Sequence, residues 1–281
     1  MILVTGATGT VGREVVAQLL AAGEKVRALS RDPSKAQFDN GVELVAGDLI
    51  KPETLPSAVA GADRVFSLAV GPQIGVQEGN LAQASKKVGV SRIVNISVLG
   101  AGEASRGGVA EWHSAGERAI QNSGIAWTFV RPGAFMSNAL LWRGSIKNLG
   151  KVFSNYGDGK TTPIHPRDIA AVAVRALTAP GHEGKAYPLT GPQAISVAEQ
   201  VRILSDAIGK PIEYVPITDE VAREQMQKAG VPSVYMDAML PFGAHVRAGK
   251  SAKVLDTIEQ VTGKQPLTFA DWAREHADAF Q

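Results

Sequence analysis

Three glycines near the start of this sequence stand at a spacing that suits one kind of chemistry. Gly6-Ala7-Thr8-Gly9-Thr10-Val11-Gly12 follows the apolar run Ile2-Leu3-Val4 and leads into Arg13-Glu14-Val15-Val16-Ala17-Gln18-Leu19-Leu20, whose apolar residues recur at helical spacing. A strand that bends sharply into a helix leaves the first helical N–H groups without partners, at the positive end of the helix dipole. An anion bound there meets several amides at once. Gly6 permits the tight turn, Gly9 the close approach of backbone to phosphate, and Gly12 the close packing of helix on strand. The bland alternative is a glycine-rich turn with no ligand. The strand before, the helix after and the continuing βαβ rhythm favour a dinucleotide diphosphate held by Gly6, Thr8, Gly9, Thr10, Val11 and Gly12.

Which dinucleotide is decided at the end of the second strand. An NAD enzyme places a carboxylate there to accept the ribose 2′-hydroxyl, whereas this chain has Leu29-Ser30-Arg31. Arg31 suits a 2′-phosphate and stacks on adenine, Ser30 donates to the same group, and Lys35 is near enough in sequence to assist. NADP(H) is therefore expected over NAD(H). The competing reading pairs Arg31 with Asp32 or with solvent.

These residues need a scaffold. Apolar runs at Ile2 to Thr5, Lys25 to Leu29, Val42 to Ala46, Arg64 to Val70, Arg92 to Ser97 and Ala126 to Val130 read as strands covered on both faces. Helical spacing fills Val11 to Ala22, Pro52 to Ala60, Val76 to Val88 and Glu111 to Ser123, so the fold class is α/β, a Rossmann doubly wound parallel sheet. Beyond Pro132, aromatics, glycines and turns dominate to Pro166. A helix follows over Arg167 to Leu177, then a short strand near Ala186 to Leu189. Ser196-Val197-Ala198-Glu199 is a capping box opening a helix to about Ile208, with further helices expected over Asp219 to Ala229, Ser251 to Thr262 and Phe269 to Phe280. The expected division is a dinucleotide-binding core of residues 1–134 and 167–192 and a smaller, mainly helical substrate-binding lobe of residues 135–166 and 193–281.

Composition narrows the field further. The 281 residues carry 29 basic and 27 acidic side chains, intermixed, with 44% hydrophobic content and a mean hydropathy near zero. No basic stripe serves a nucleic acid or an anionic membrane, and no segment reaches spanning length. The first strand begins at Ile2, so no secretory leader is expected. Without cysteine there is no disulfide, thiolate metal site or thiol nucleophile. His113, His165, His182, His245 and His276 lack metal-ligand spacing, and no metal is expected. A cytoplasmic monomer or homodimer acting on a small molecule fits this balance.

With these residues read, the chain resembles the NmrA-like group of atypical short-chain dehydrogenase/reductases, which includes NADPH-dependent quinone reductases, triphenylmethane dye reductases and non-catalytic redox sensors. The likeness rests on the glycine turn, on Ala46-Gly47-Asp48-Leu49, on Arg131-Pro132-Gly133-Ala134-Phe135, on His165-Pro166-Arg167-Asp168-Ile169-Ala170 and on Leu189-Thr190-Gly191-Pro192, in that order along nearly the whole chain. The resemblance implies that Asp48 and Leu49 lie by adenine, that Leu68, Ala69 and Val70 line the cofactor, and that Pro132, Gly133 and Phe135 stand near the nicotinamide. It implies a structural role for Asp168.

One departure bears on mechanism. The wider superfamily moves a proton with a Tyr and a Lys one helical turn on, the ammonium lowering the phenol pKa. The equivalent stretch here reads Trp112-His113-Ser114-Ala115-Gly116-Glu117, with neither. Tyr156-Gly157-Asp158-Gly159-Lys160 has the literal spacing, but its glycines mark a turn. His113 and Glu117 share a helix face, also a feature of the quinone-reductase branch, so His113 is a candidate proton donor and ion-pair packing its alternative. Ser97 either hydrogen-bonds substrate or carboxamide or is satisfied internally. Trp112, Phe135 and Trp142 are candidates for an apolar wall against a planar substrate, or simply core. A conjugated acceptor spreads incoming charge over its own π system and so tolerates a site without a relay. The expected activity is NADPH-dependent hydride transfer to a quinone-like or other planar conjugated acceptor; the alternative is a non-catalytic NADP(H)-binding redox sensor.

Overall fold

Strands covered on both faces assemble in parallel. The computed structural model describes residues 1–38, 41–103 and 108–281, which divide into two units: Met1–Pro132 with Pro166–Leu189, and Gly133–His165 with Thr190–Gln281. In the first unit the chain runs β1 (Ile2–Val4), α1 (Thr10–Ala21), β2 (Val26–Ser30), β3 (Val42–Ala46), α2 (Leu55–Val59), β4 (Arg64–Ser67), α3 (Ile74–Lys87), β5 (Arg92–Ile96), α4 (Gly108–Ser123) and β6 (Ala126–Pro132). It crosses the second unit through α5 (Arg143–Leu149), β7 (Lys151–Ser154) and β8 (Lys160–Thr161), then returns for α6 (Pro166–Thr178) and β9 (Lys185–Leu189).

The seven strands lie in the order β3-β2-β1-β4-β5-β6-β9, every neighbouring pair parallel. Strand order reverses at β1 and β4, so the carboxyl ends of these strands flank the switch point where doubly wound sheets bind ligands. Helix α1 packs on α6, while α3 packs on α2 and α4. Leu3, Leu29, Val65, Ile93 and Phe129 from successive strands meet Leu55, Leu81 and Ile120 from the helices in one buried cluster. Burial on that scale fixes the sheet that positions the turn.

The second unit continues with β10 (Ile195–Ser196), α7 (Val197–Ile208), β11 (Glu213–Pro216), α8 (Asp219–Lys228), α9 (Ser233–Arg247), α10 (Thr257–Thr262) and α11 (Phe269–Glu275). β7 pairs in parallel with β11, and β8 antiparallel with β10. Its core gathers Ile146, Val152, Leu204, Phe269 and Trp272. The capping box forms as expected: Glu199 N–H donates to Ser196 Oγ at 3.1 Å, and Ser196 N–H to the Glu199 carboxylate at 2.7 Å.

Several boundaries differ from the sequence expectation. β4 ends at Ser67 instead of Val70, because Leu68 leaves the ladder and donates its N–H to Thr5 Oγ1 at 2.9 Å. The segment expected as turns holds a 3₁₀ helix, Met136–Trp142, and α5. α10 starts at Thr257 rather than Ser251, and α11 stops at Glu275 before a 3₁₀ turn, Ala277–Phe280. Helix α9 was not anticipated, since Pro241 and Gly243 interrupt its pattern. Gly243 lets Asn155 pack closely there: a Cβ would stand 2.4 Å from Asn155 Nδ2 and displace that side chain. Among the described residues no helix is long and apolar enough to cross a membrane, and no three His, Asp or Glu side chains are grouped to hold a metal ion.

Candidate functional site

The glycine turn has the geometry of an anion cradle. Gly6 sits at φ 61°, in the left-handed region, with its missing Cβ side against Leu68. Gly9 caps α1 without a side-chain hydrogen bond; its N–H donates to Gly6 O at 2.9 Å, and its own carbonyl accepts from Arg13 N at 3.0 Å. A Cβ on Gly12 would stand 2.1 Å from Gly6 O, so only glycine allows helix and turn to meet. Thr8, Gly9 and Thr10 are exposed, while Val11 and Gly12 are buried. The first turn of α1 thus begins at an exposed Gly9 and Thr10 with no side-chain cap on it, an arrangement that suits an anion.

Thr5 ties a second predicted segment to this turn. Through Leu68 N–H, the end of β4 lies beside Gly6, with Leu68 half-buried, Ala69 buried and Val70 69% exposed. At the other sheet edge, Gly47 N–H donates to Ser30 O at 3.0 Å and brings Asp48 and Leu49 next to Ser30 and Arg31. Leu49 O accepts from Asn80 Nδ2 at 2.8 Å, and Asp48 accepts from Ile50 N–H at 3.0 Å. Arg31 is exposed. Lys35 pairs with Asp32 at 2.9 Å, and the Ser34 hydroxyl, then Lys35, hold the Asp32 carboxyl below its ordinary range. Asp32, the one carboxylate beside Arg31 in sequence, is therefore engaged with Ser34 and Lys35, while Ser30 Oγ accepts from Asp32 N–H at 3.2 Å.

Ser97 follows β5 directly. Its hydroxyl is buried and, among the described residues, finds no hydrogen-bond partner, so internal satisfaction does not explain it. Ser97 N–H donates to Val130 O at 2.7 Å and Leu99 N–H to Pro132 O at 2.9 Å, which sets Ser97 beside the end of β6. An orphaned hydroxyl at the carboxyl ends of the strands and a glycine cradle at β1 both fit a dinucleotide. The residues matched by the family of proteins described as NAD(P)H-binding are 6–180.

The chain belongs to the NAD(P)H-binding family. This NAD(P)H-binding protein is 45% identical to an NAD(P)H azoreductase of Xenophilus azovorans, over 100% of its own length and 99% of the relative's. It is 40% identical to a (4-alkanoyl-5-oxo-2,5-dihydrofuran-3-yl)methyl phosphate reductase of Streptomyces griseus, again over 100% and 99%. In fold it matches the NADPH complex of the Escherichia coli NADPH-dependent quinone oxidoreductase QOR2, with a TM-score of 0.85 at 28% identity over 98% of this chain and 99% of that one.

In this NAD(P)H-binding protein His113 and Glu117 do not form the isolated pair that their spacing suggests. Glu117 is buried and takes Arg131 in a two-point ion pair, Nε to Oε1 at 2.8 Å and Nη2 to Oε2 at 2.6 Å. Burial pushes His113 down to about 4, against a weaker upward pull from Glu117, so the imidazole is neutral at neutral pH. Trp112 is half-buried on α4 in the first unit. In the second, Trp142 packs on the core, and Phe135 bridges Ile164. Gly133 begins that unit. Tyr156 stands on a turn, closed by Gly159 N–H to Tyr156 O at 3.0 Å, whereas Lys160 opens β8 and pairs with Glu199.

Sequence reasoning missed Glu78. This α3 carboxyl is fully buried, accepts from Ser67 Oγ and from Asn95 Nδ2 at 2.9 Å, and is raised to about 7 by burial, opposed by those donors and by Ala69 N–H. The signal was present: Glu78 falls four residues after Ile74 and four before Ala82, on the apolar stripe of its helix. Its contact with Ala69 N–H ties the helix to the segment beside the glycine turn.

Proposed function

We propose that the protein is an NADPH-dependent reductase of planar conjugated acceptors such as quinones and azo compounds. The observation that carries this reading is the end-to-end identity of 45% with an azoreductase. The chemistry agrees. An azo group, a quinone and a ring C=C flanked by two carbonyls share a π system that takes up charge as it is reduced, and none depends on protonating an isolated alkoxide. A chain with a neutral His113 and no Tyr–Lys pair on α4 suits such acceptors.

The bound dinucleotide supplies a hydride; the protein's part is to bind, orient and shield. The α1 amides over Gly9 to Gly12 grip the diphosphate, Ser30 and Arg31 take the 2′-phosphate, and Asp48 and Leu49 border the adenine. Leu68, Ala69 and Val70 line the cofactor, Pro132 closes the β6 side, and the Ser97 hydroxyl meets the carboxamide or the acceptor. Holding two flat reactants in contact supplies much of the acceleration. The test is steady-state loss of absorbance at 340 nm with NADPH and a panel of quinones, azo dyes and triarylmethane dyes. Oxidation with at least one class is expected; silence across the panel, with coenzyme bound, overturns the reading in favour of a redox sensor.

A further inference from the structure

Arg13 stands where a cation is out of place. It lies in the first turn of α1, whose positive dipole end disfavours basic side chains, and that turn contains no acidic residue. Arg13 also lies outside the glycine motif and is exposed. What it touches gives it a task. Nε donates to Thr8 O in the phosphate turn at 3.1 Å, and Nη1 donates to Gln37 O at 3.1 Å. Its guanidinium carbon lies 5.5 Å from the centroid of the Phe38 ring, a cation–π distance.

One side chain thus bridges the diphosphate turn and the segment after β2. That segment, residues 31–38, begins with Arg31 and is shaped by Asp32 with Ser34 at 3.2 Å and Lys35 at 2.9 Å, by Ala36 N–H with Pro33 O at 3.1 Å and by Asp32 N–H on Ser30 Oγ at 3.2 Å, while Pro33–Lys35 packs on β3. These set the shape of the segment without fixing it to the turn. Arg31 can clamp a 2′-phosphate only if its backbone is stationed relative to the diphosphate bound by the same coenzyme.

We propose that Arg13 is a second determinant of coenzyme choice, a positioning residue that fastens the Arg31 segment to the phosphate turn through Thr8 O, Gln37 O and the Phe38 ring. The inference rests on the NADPH reading above and adds a residue to it. The planar fork is the essential feature, because a lysine ammonium keeps the charge but cannot present two N–H donors in a fixed plane to carbonyls on opposite sides.

The test measures dissociation constants for NADPH and NADH by calorimetry, without turnover, for the native protein and Arg13→Lys, Arg13→Ala, Arg31→Ala and Arg13→Ala/Arg31→Ala. Arg31→Ala should bring the two coenzymes to near parity. Arg13→Lys and Arg13→Ala should each reduce the NADPH preference about tenfold, the worth of one charge-assisted phosphate contact, with NADH affinity and melting temperature nearly unchanged. The double variant should lose no more than Arg31→Ala alone. Full preference in Arg13→Lys shows that charge rather than the fork matters and overturns the proposal, as does an additive double variant. If Arg31→Ala also keeps the preference, the NADPH assignment itself fails, an outcome distinct from failure of the Arg13 role.

Discussion

Arg131 and Glu117 meet in a parallel two-point ion pair that joins the end of β6 to the middle of α4, with the glutamate side chain 5% exposed and the arginine 24%. Glu117 raises the Arg131 guanidinium above its ordinary value, and a Cβ on Gly102 would touch Arg131 Nη2 at 2.9 Å, so the strand, helix and the loop after β5 converge on one cation. Removing the carboxylate leaves that cation half-buried, with only the weaker pull of the Glu103 charge on it. Glu117→Ala should cost about 3 kcal/mol in urea unfolding, whereas a surface pair such as Arg118 with Glu111 should cost under about 1 kcal/mol. Equal losses from Glu117→Ala and Glu111→Ala would refute this ranking.

Glu78 and His113 give the protein two opposed pH dependences. Glu78 is raised from 4.5 to about 7, so the folded state holds a proton that the unfolded state has released; stability from this group is complete below 4.5 and is lost as pH rises through 7. His113 is lowered from 6.5 to about 4, so its contribution is complete above 6.5 and is lost as pH falls through 4. Each carries about 3 kcal/mol across its window, and between about pH 4.5 and 6.5 they offset one another. Urea unfolding of Glu78→Gln should show stability rising with pH over that interval, and His113→Asn should show it falling. Parallel curves for the two variants would contradict both assignments.

The glycines of the turn should separate folding from binding. A Cβ at position 12 would meet backbone atoms Gly6 O at 2.1 Å and Gly6 C at 2.7 Å, which no rotamer can relieve. At position 9 the nearest atom is Gly6 O at 3.2 Å, on an exposed surface. Gly12→Ala should therefore lower the melting temperature through about 1–3 kcal/mol of overpacking. Gly9→Ala should melt near the native temperature yet bind NADPH at least about tenfold more weakly, because its methyl would stand where the proposed binding mode brings phosphate to the amides. Normal affinity in Gly9→Ala would place the diphosphate elsewhere.

The first unit was legible because its inner strands, buried on both faces, read as continuous apolar runs between helices ended by glycine, as at Gly23, Gly61, Gly89 and Gly124; β3, expected to be covered on both faces, is instead an edge strand with Glu43, Leu44 and Ala46 exposed. The glycine turn was legible because Gly6, at positive φ, and Gly12, against Gly6 O, stand where a side chain does not fit. The second unit hid more. Pro241 and Gly243 obscured α9, and β7 and β11 are short strands, far apart in sequence, whose pairing no local pattern announces. Spacing on α4 suggested that His113 pairs with Glu117, but a cross-element partner, Arg131, holds that carboxylate. Glu78 was passed over because a glutamate in a helix is ordinarily solvated; here Ser67 and Asn95 arrive from neighbouring strands to receive it.

The acceptor class is tested most directly in a single turnover. Protein loaded with NADPH is mixed anaerobically with 1,4-naphthoquinone or with 1-tetralone, a ketone of similar size without the quinone conjugation, and absorbance at 340 nm is followed. Rapid loss with the quinone and none with the ketone is the expected result. Loss with the ketone alone, or with neither although NADPH is bound, would contradict a reductase that depends on conjugation in its acceptor.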